Sequence, residues 1–158
     1  MSLILASAGI VTLCLLIFLW TTTRRRGQRE IERYSVSPED LHAQQSSGQE
    51  VLIFDVRQPL DLLAYPEIIP GAKRIPPNEV IENPLLIPSE KDSVVYCTCP
   101  SDKTSRMVLH RALALNIHRV KFLRGGLAGW KTKGYPVEPY REVFHLYAAT
   151  RSLPLRDS

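Results

Sequence analysis

Three short apolar runs decide what this chain can fold into. Val51-Leu52-Ile53-Phe54, Ser93-Val94-Val95-Tyr96 and the stretch 119–123 are each four or five residues long and rich in β-branched and aromatic side chains. They are too short for helices, and the first two leave no face for water, as strands inside a sheet do. Each leads into a segment with helical signals, over 59–65, 106–115 and 127–133. Strand alternating with helix implies a mainly parallel sheet covered on both faces, so the expected fold class is α/β.

Smaller signals complete that picture. Ser37-Pro38-Glu39-Asp40 reads as a helix start: a serine cap, a proline suited to the first turn, and acids that suit the helix dipole. This helix is predicted to end near 46–48. A short strand is predicted over 72–75 and a short helix from Pro76 to Asn83. The clearest helix is 106–115, with Val108, Ala112 and Leu115 on one stripe and Leu109 and Leu113 beside it. Asn116 suits the left-handed residue that ends it.

The N-terminus has a different character. Residues 3–20 are apolar apart from Ser7 and Thr12 and carry no charge, close to the shortest run that crosses a bilayer as a helix. Trp20 ends the run where an interfacial aromatic belongs, and Arg24, Arg25 and Arg26 follow. Positive charge on that flank predicts a single-pass anchor in the cell (inner) membrane with the C-terminal domain on the cytoplasmic side. A cleaved signal peptide needs a basic segment before the apolar run, which is absent. The predicted organisation is an anchor over 1–23, a charged linker over 24–34, one domain over 35–138, and a tail over 139–158 with a helical pattern near 141–150.

Composition excludes several classes. The formal net charge is +4, from 20 Lys and Arg against 16 Asp and Glu, and the arginine cluster supplies much of it. No basic face interleaved with aromatics is present, so no nucleic-acid partner is expected. Of the three cysteines, Cys14 lies in the apolar run, and Cys97 and Cys99 form no disulfide framework, which suits a reducing compartment. The four histidines are scattered, so neither a metal site nor a cofactor is expected.

The chemistry concentrates in Cys97-Thr98-Cys99-Pro100-Ser101-Asp102-Lys103-Thr104-Ser105, between a predicted strand and a predicted helix. A cysteine there meets free backbone N–H groups and the positive end of the helix dipole, both of which favour the thiolate. Asp55-Val56-Arg57 closes another strand at the end where ligands collect in parallel sheets. It reads equally as a salt-bridged loop, and spacing alone does not choose.

In order along the chain, these pieces resemble a rhodanese-like domain. Val51-Leu52-Ile53-Phe54-Asp55-Val56-Arg57 resembles the family's first core strand and Asp-x-Arg. Ile69-Pro70-Gly71-Ala72, Val94-Val95-Tyr96-Cys97, Leu123-Arg124-Gly125-Gly126-Leu127-Ala128-Gly129-Trp130 and Gly134-Tyr135-Pro136-Val137 resemble the pieces that follow. The resemblance covers about residues 35–138 and implies a five-stranded α/β sheet flanked by helices. It also implies a single-domain sulfurtransferase that moves sulfur through a cysteine persulfide, from a sulfur donor to a thiol acceptor, either of them a small molecule or a protein. The family loop is a cysteine, four residues, then Arg or Thr. Counted from Cys99, Thr104 closes the loop and Ser105 follows, which makes Cys99 the expected nucleophile. Counted from Cys97, Lys103 closes the longer loop of phosphatases on the same fold, where an Arg is needed for bidentate phosphate binding. An insertion of two residues would return the role to Cys97.

The substrate-facing residues implied are Ser101, Asp102, Lys103, Thr104 and Ser105, with Asp55 and Arg57 bracing the loop or meeting substrate. Pro100 has no N–H to offer. Lys103 would attract an anionic donor and Asp102 repel one. Cys97 is a second thiol that either fills core space or acts on a persulfide held by Cys99. Two other functions remain open: a catalytically silent interaction module at the membrane, and a thiol redox sensor using the Cys-x-Cys pair.

Overall fold

A computed structural model describes residues 15–22 and 32–141. The predicted anchor before residue 15, the linker over 23–31 and the tail beyond 141 lie outside the described residues. Residues 15–22 are helical (α1), and the side chains of Leu15 to Trp20 are exposed. Among the described residues, no helix is long and apolar enough to cross a membrane.

The α/β expectation holds. Five strands form one parallel sheet in the order β1-β6-β5-β2-β4. They are β1 (Ser35–Val36), β2 (Leu52–Asp55), β4 (Lys73–Arg74), β5 (Ser93–Tyr96) and β6 (Val120–Leu123). The helices are α2 (Pro38–Ser46), α3 (Pro59–Ala64), α4 (Pro77–Glu82), α5 (Lys103–Ala114) and α6 (Gly126–Thr132). A separate antiparallel ribbon joins β3 (Glu67–Ile68) to β7 (Glu138–Pro139). Regular structure therefore reaches one residue past the predicted domain end, and Tyr140 N–H extends it with a bond to Pro66 O.

Alternation along the central strands builds two cores. Phe54, Val95 and Phe122 turn to one face, where Val108, Leu109 and Ala112 of α5 and Val80 of α4 cover them. Ile53, Val94 and Leu123 turn to the other, against Leu41 of α2 and Leu127 and Trp130 of α6. Each fully buried aliphatic side chain contributes about 1.5–3 kcal/mol, so the two layers hold the central strand ends in register. The α2 start forms as its sequence dictates: Ser37 Oγ accepts the Asp40 N–H at 3.1 Å and donates to the Asp40 carboxylate at 2.7 Å.

One detail of α5 departs from expectation. Its buried stripe is Val108, Leu109 and Ala112, while Leu115 is 51% exposed. The helix stops at Ala114, and Leu115 is already off the helical path at φ −102°, with Asn116 at φ 60° completing the turn.

The parallel sheet collects its strand ends on one edge. β2 and β5 pair with Asp55 opposite Tyr96. Asp55-Val56-Arg57 and the cysteine loop consequently emerge side by side.

Candidate active site

Asp55 and Arg57 form a closed unit. Arg57 Nε lies 2.9 Å from both carboxylate oxygens of Asp55, and Arg57 Nη2 is 2.5 Å from Oδ2. The other guanidinium donors reach Tyr65 O at 2.9 Å and Glu67 O at 2.7 Å. Tyr96 Oη donates to Asp55 at 3.2 Å and accepts the Ile69 N–H at 3.3 Å. Burial first, then the Asp55 charge, holds the Tyr96 phenol protonated far above its usual range, which keeps it a donor to that carboxylate. Both members of the pair are fully buried. The unit ties β2 and β5 to the segment 65–69.

The cysteine loop is built differently. After β5 the chain turns through a short 3₁₀ helix, Pro100–Asp102, and enters α5. Ser101 at φ 60° and Asp102 at φ 54° are both left-handed, which costs about 1–2 kcal/mol each for residues with a Cβ. Three bonds hold the turn. Asp102 N–H reaches Cys99 O, Arg106 Nε reaches Ser101 O, and the Asp102 carboxylate accepts the Gly125 N–H at 3.0 Å. Asp102 is buried and turned toward Gly125 rather than toward sulfur. Burial pushes its carboxyl pKa above the usual value, against the Gly125 N–H that lowers it.

No side chain caps α5. Sulfur takes that place. Cys99 Sγ lies 2.9 Å from Thr104 Oγ1 and 3.1 Å from Cys97 Sγ. Desolvation opposes ionisation of Cys99, but hydrogen bonds from the Thr104 hydroxyl, the Cys97 thiol and the Thr104 N–H outweigh it and bring its pKa below the ordinary thiol value. Cys97 behaves oppositely. Burial pushes it up to about 11, partly countered by the hydroxyl and N–H of Ser105. Cys97 is fully buried and Cys99 is partly exposed. The pair therefore divides into a reachable thiol that ionises more readily than usual and a sheltered one that resists ionisation.

Of the predicted loop donors, Thr104 meets Cys99 and Ser105 meets Cys97, while Ser101 and Lys103 face solvent. The Ser105 hydroxyl is fully buried without a settled partner. Beside the loop, a shallow groove of about 750 Å³ runs along α5 from Ser101 and Lys103 past Arg106 and Met107 to Arg111.

The glycine pair of the next turn has a role that sequence reading missed. The Leu127 N–H binds Cys97 O at 3.1 Å, and a Cβ on Gly126 would lie 1.8 Å from that oxygen. Only glycine lets α6 close onto the strand end carrying the thiols.

The family model for a rhodanese-like domain matches residues 37–133. The chain belongs to the rhodanese-like domain family. A relative called a sulfurtransferase, from Allochromatium vinosum, is 28% identical over 102 residues, spanning 65% of this chain and 92% of that one. A full-length protein from Lactobacillus plantarum superposes with a TM-score of 0.62 at 21% identity, covering 75% of this chain and 98% of that one. A thiosulfate sulfurtransferase from Pseudomonas aeruginosa has a TM-score of 0.53 at 22% identity, covering 70% of this rhodanese chain and 22% of its own. At those identities the two structures speak for the fold. Among the described residues no cluster of three or more His, Cys, Asp or Glu could hold a metal ion.

Proposed function

We propose that this protein is a rhodanese-type sulfurtransferase that carries sulfane sulfur as a persulfide on Cys99. The observation that carries this reading is a partly exposed thiol whose anion is favoured by Thr104 and Cys97 at the start of α5. The thiolate attacks the outer sulfur of a donor. With thiosulfate, a Cys99–sulfur bond forms, the donor's S–S bond breaks, and sulfite leaves with the electron pair. The persulfide anion then passes its outer sulfur to a thiol acceptor or to cyanide. Hydrogen bonds preset around Cys99 Sγ lower the cost of holding negative charge there.

Lys103, in the groove beside the loop, gives an anionic donor a positive approach, while Arg106 is paired with Glu32. The Asp102 carboxylate is turned to the Gly125 N–H rather than toward Cys99 Sγ. Asp55 and Arg57 act as the brace of the strand ends rather than as substrate ligands. The phosphatase count from Cys97 lacks support: that thiol is buried, and Lys103 faces solvent at the closing position.

The uncharged run 3–20 and the arginines after it support a single-pass anchor in the cell (inner) membrane that leaves the domain on the cytoplasmic side, beside its thiol pool. Protease protection in spheroplasts tests this. Digestion of the domain from outside contradicts it.

The activity test is thiocyanate formation from thiosulfate, or from a low-molecular-weight persulfide, and cyanide. Wild type turns over, and Cys99→Ser falls to background with its folding intact. Turnover retained in Cys99→Ser and lost in Cys97→Ser would move the nucleophile to Cys97.

A further inference from the structure

Simple sulfur relay uses Cys97 only as a neighbour that favours the Cys99 anion, not for its own sulfur chemistry. Cys97 is fully buried, so no donor or acceptor in solution reaches it. Its thiol faces Cys99 Sγ at 3.1 Å and the hydroxyl and N–H of Ser105. The Ser105 hydroxyl is also fully buried and makes no hydrogen bond of normal geometry, to Cys97 or to any other group. A cysteine that merely filled core space would need no donor beside it, because a neutral thiol is a weak acceptor. An orphaned hydroxyl against sulfur suits a sulfur that becomes negative during a reaction.

We infer that Cys97 is a resolving thiol, which attacks Cys99 Sγ of the persulfide and expels the outer atom as hydrogen sulfide. The inference rests on Cys99 being the sulfur carrier, and it adds a sulfide-releasing, thiol-dependent persulfide reductase activity to the same site. The Sγ atoms need to close from 3.1 Å to about 2.05 Å to bond, a movement of about 1 Å within side-chain rotation.

The step balances. Cys97–SH and Cys99–S–S⁻ give the Cys97–Cys99 disulfide and HS⁻. The bond between Cys99 Sγ and the outer sulfur breaks, and its electron pair leaves with that sulfur. The bond between the two Sγ atoms forms. The proton lost by Cys97 passes to the departing sulfide, which leaves as HS⁻. The outer sulfur gains two electrons and the two cysteine sulfurs lose them. Two equivalents of a low-molecular-weight thiol, or one dithiol, then reduce the disulfide and leave as their own disulfide. Cys99 is the partly exposed member, so the incoming thiol attacks there and Cys97 leaves first.

The test uses the full chain, loaded with thiosulfate, freed of donor by gel filtration and held without thiol. Sulfide is measured with a bimane trap, and the loop peptide is weighed. Wild type is expected to release close to one sulfide per persulfide and to end as a Cys97–Cys99 disulfide. Cys97→Ser and Cys97→Ala are expected to keep the persulfide at least tenfold longer and to release sulfide only after thiol is added. Two replacements guard against one of them disturbing the fold. Ser105→Ala is expected to move the pH midpoint of sulfide release upward. Equal persulfide lifetimes in wild type and both Cys97 variants would overturn the inference while leaving Cys99 as sulfur carrier. Failure of every form to take up sulfur, from thiosulfate or from cysteine persulfide, would overturn the inference and the proposed function together.

Discussion

Two groups of reactive side chains emerge from adjacent strands of the same sheet, and they have opposite hydrogen-bond economies. Asp55 and Arg57 end β2, and every guanidinium nitrogen has an acceptor in a fully buried setting. Cys97 and Cys99 follow β5, where one thiol is partly exposed and a buried serine hydroxyl has no hydrogen-bond partner. Position at the strand ends is shared and does not separate them. Saturation does. A polar group whose bonds are all taken has none left for a ligand, whereas a loop with a spare hydroxyl beside its buried thiol, and Thr104 beside its partly exposed one, can bind negative charge as it develops.

The hardest test of that contrast is Arg57→Ala. It leaves the Asp55 carboxylate buried and frees Tyr65 O and Glu67 O. A stability loss of about 3–5 kcal/mol is expected by chemical denaturation, with the reactivity of any folded remainder toward sulfur donors preserved. A stable Arg57→Ala protein with lost donor affinity would make the pair a substrate site and break the contrast.

Gly126→Ala probes the coupling between α6 and the thiol strand. Its Cβ would overlap Cys97 O, at a backbone angle that also disfavours alanine. A loss of about 1–3 kcal/mol is expected, with changed reactivity of Cys99 toward a thiol-specific reagent, read in the same sample.

Thr104→Val removes one donor and keeps the side-chain shape. Cys99 has a lowered pKa, so its thiolate persists to lower pH than an ordinary thiol's. Without the Thr104 hydroxyl the rise of activity with pH moves upward, and persulfide formation at neutral pH slows by roughly tenfold. A pH–rate profile of single-turnover sulfur uptake checks this.

Asp102→Asn is expected to be the mildest change, under about 1 kcal/mol, because an amide oxygen still accepts the Gly125 N–H. It carries a sign. Burial raises the Asp102 pKa above 3.8, so its contribution to stability is full below that value and is lost as pH rises through the folded-state pKa. The difference between wild type and Asp102→Asn should therefore move in the variant's favour from acid toward neutral pH.

The central strands and the longer helices were legible in the sequence because burial on both faces leaves an unbroken apolar run, and caps such as Ser37 mark helix starts. The edge strand β1 and the β3–β7 ribbon were not legible. Two residues carry no periodicity, and their pairing is decided by Phe122 and Pro139 far along the chain. In the site, the closeness of the two thiols followed from their i, i+2 spacing. The turning of Asp102 did not, because left-handed Ser101 and Asp102 carry no glycine to announce it. Asp55 and Arg57 were legible as a pair but not as a brace, since the acceptors Tyr65 O and Glu67 O are backbone atoms with no sequence signature. The contact of Gly126 with Cys97 O joins residues far apart in the chain and needed the folded sheet to appear.

The most direct measurement is the mass of the loop peptide after Cys97→Ser protein meets thiosulfate or a low-molecular-weight persulfide, without added thiol. The account predicts the mass of one added sulfur atom, located on Cys99 by fragmentation and removed by cyanide. An unmodified Cys99 with every donor, in a protein that remains folded, would contradict it.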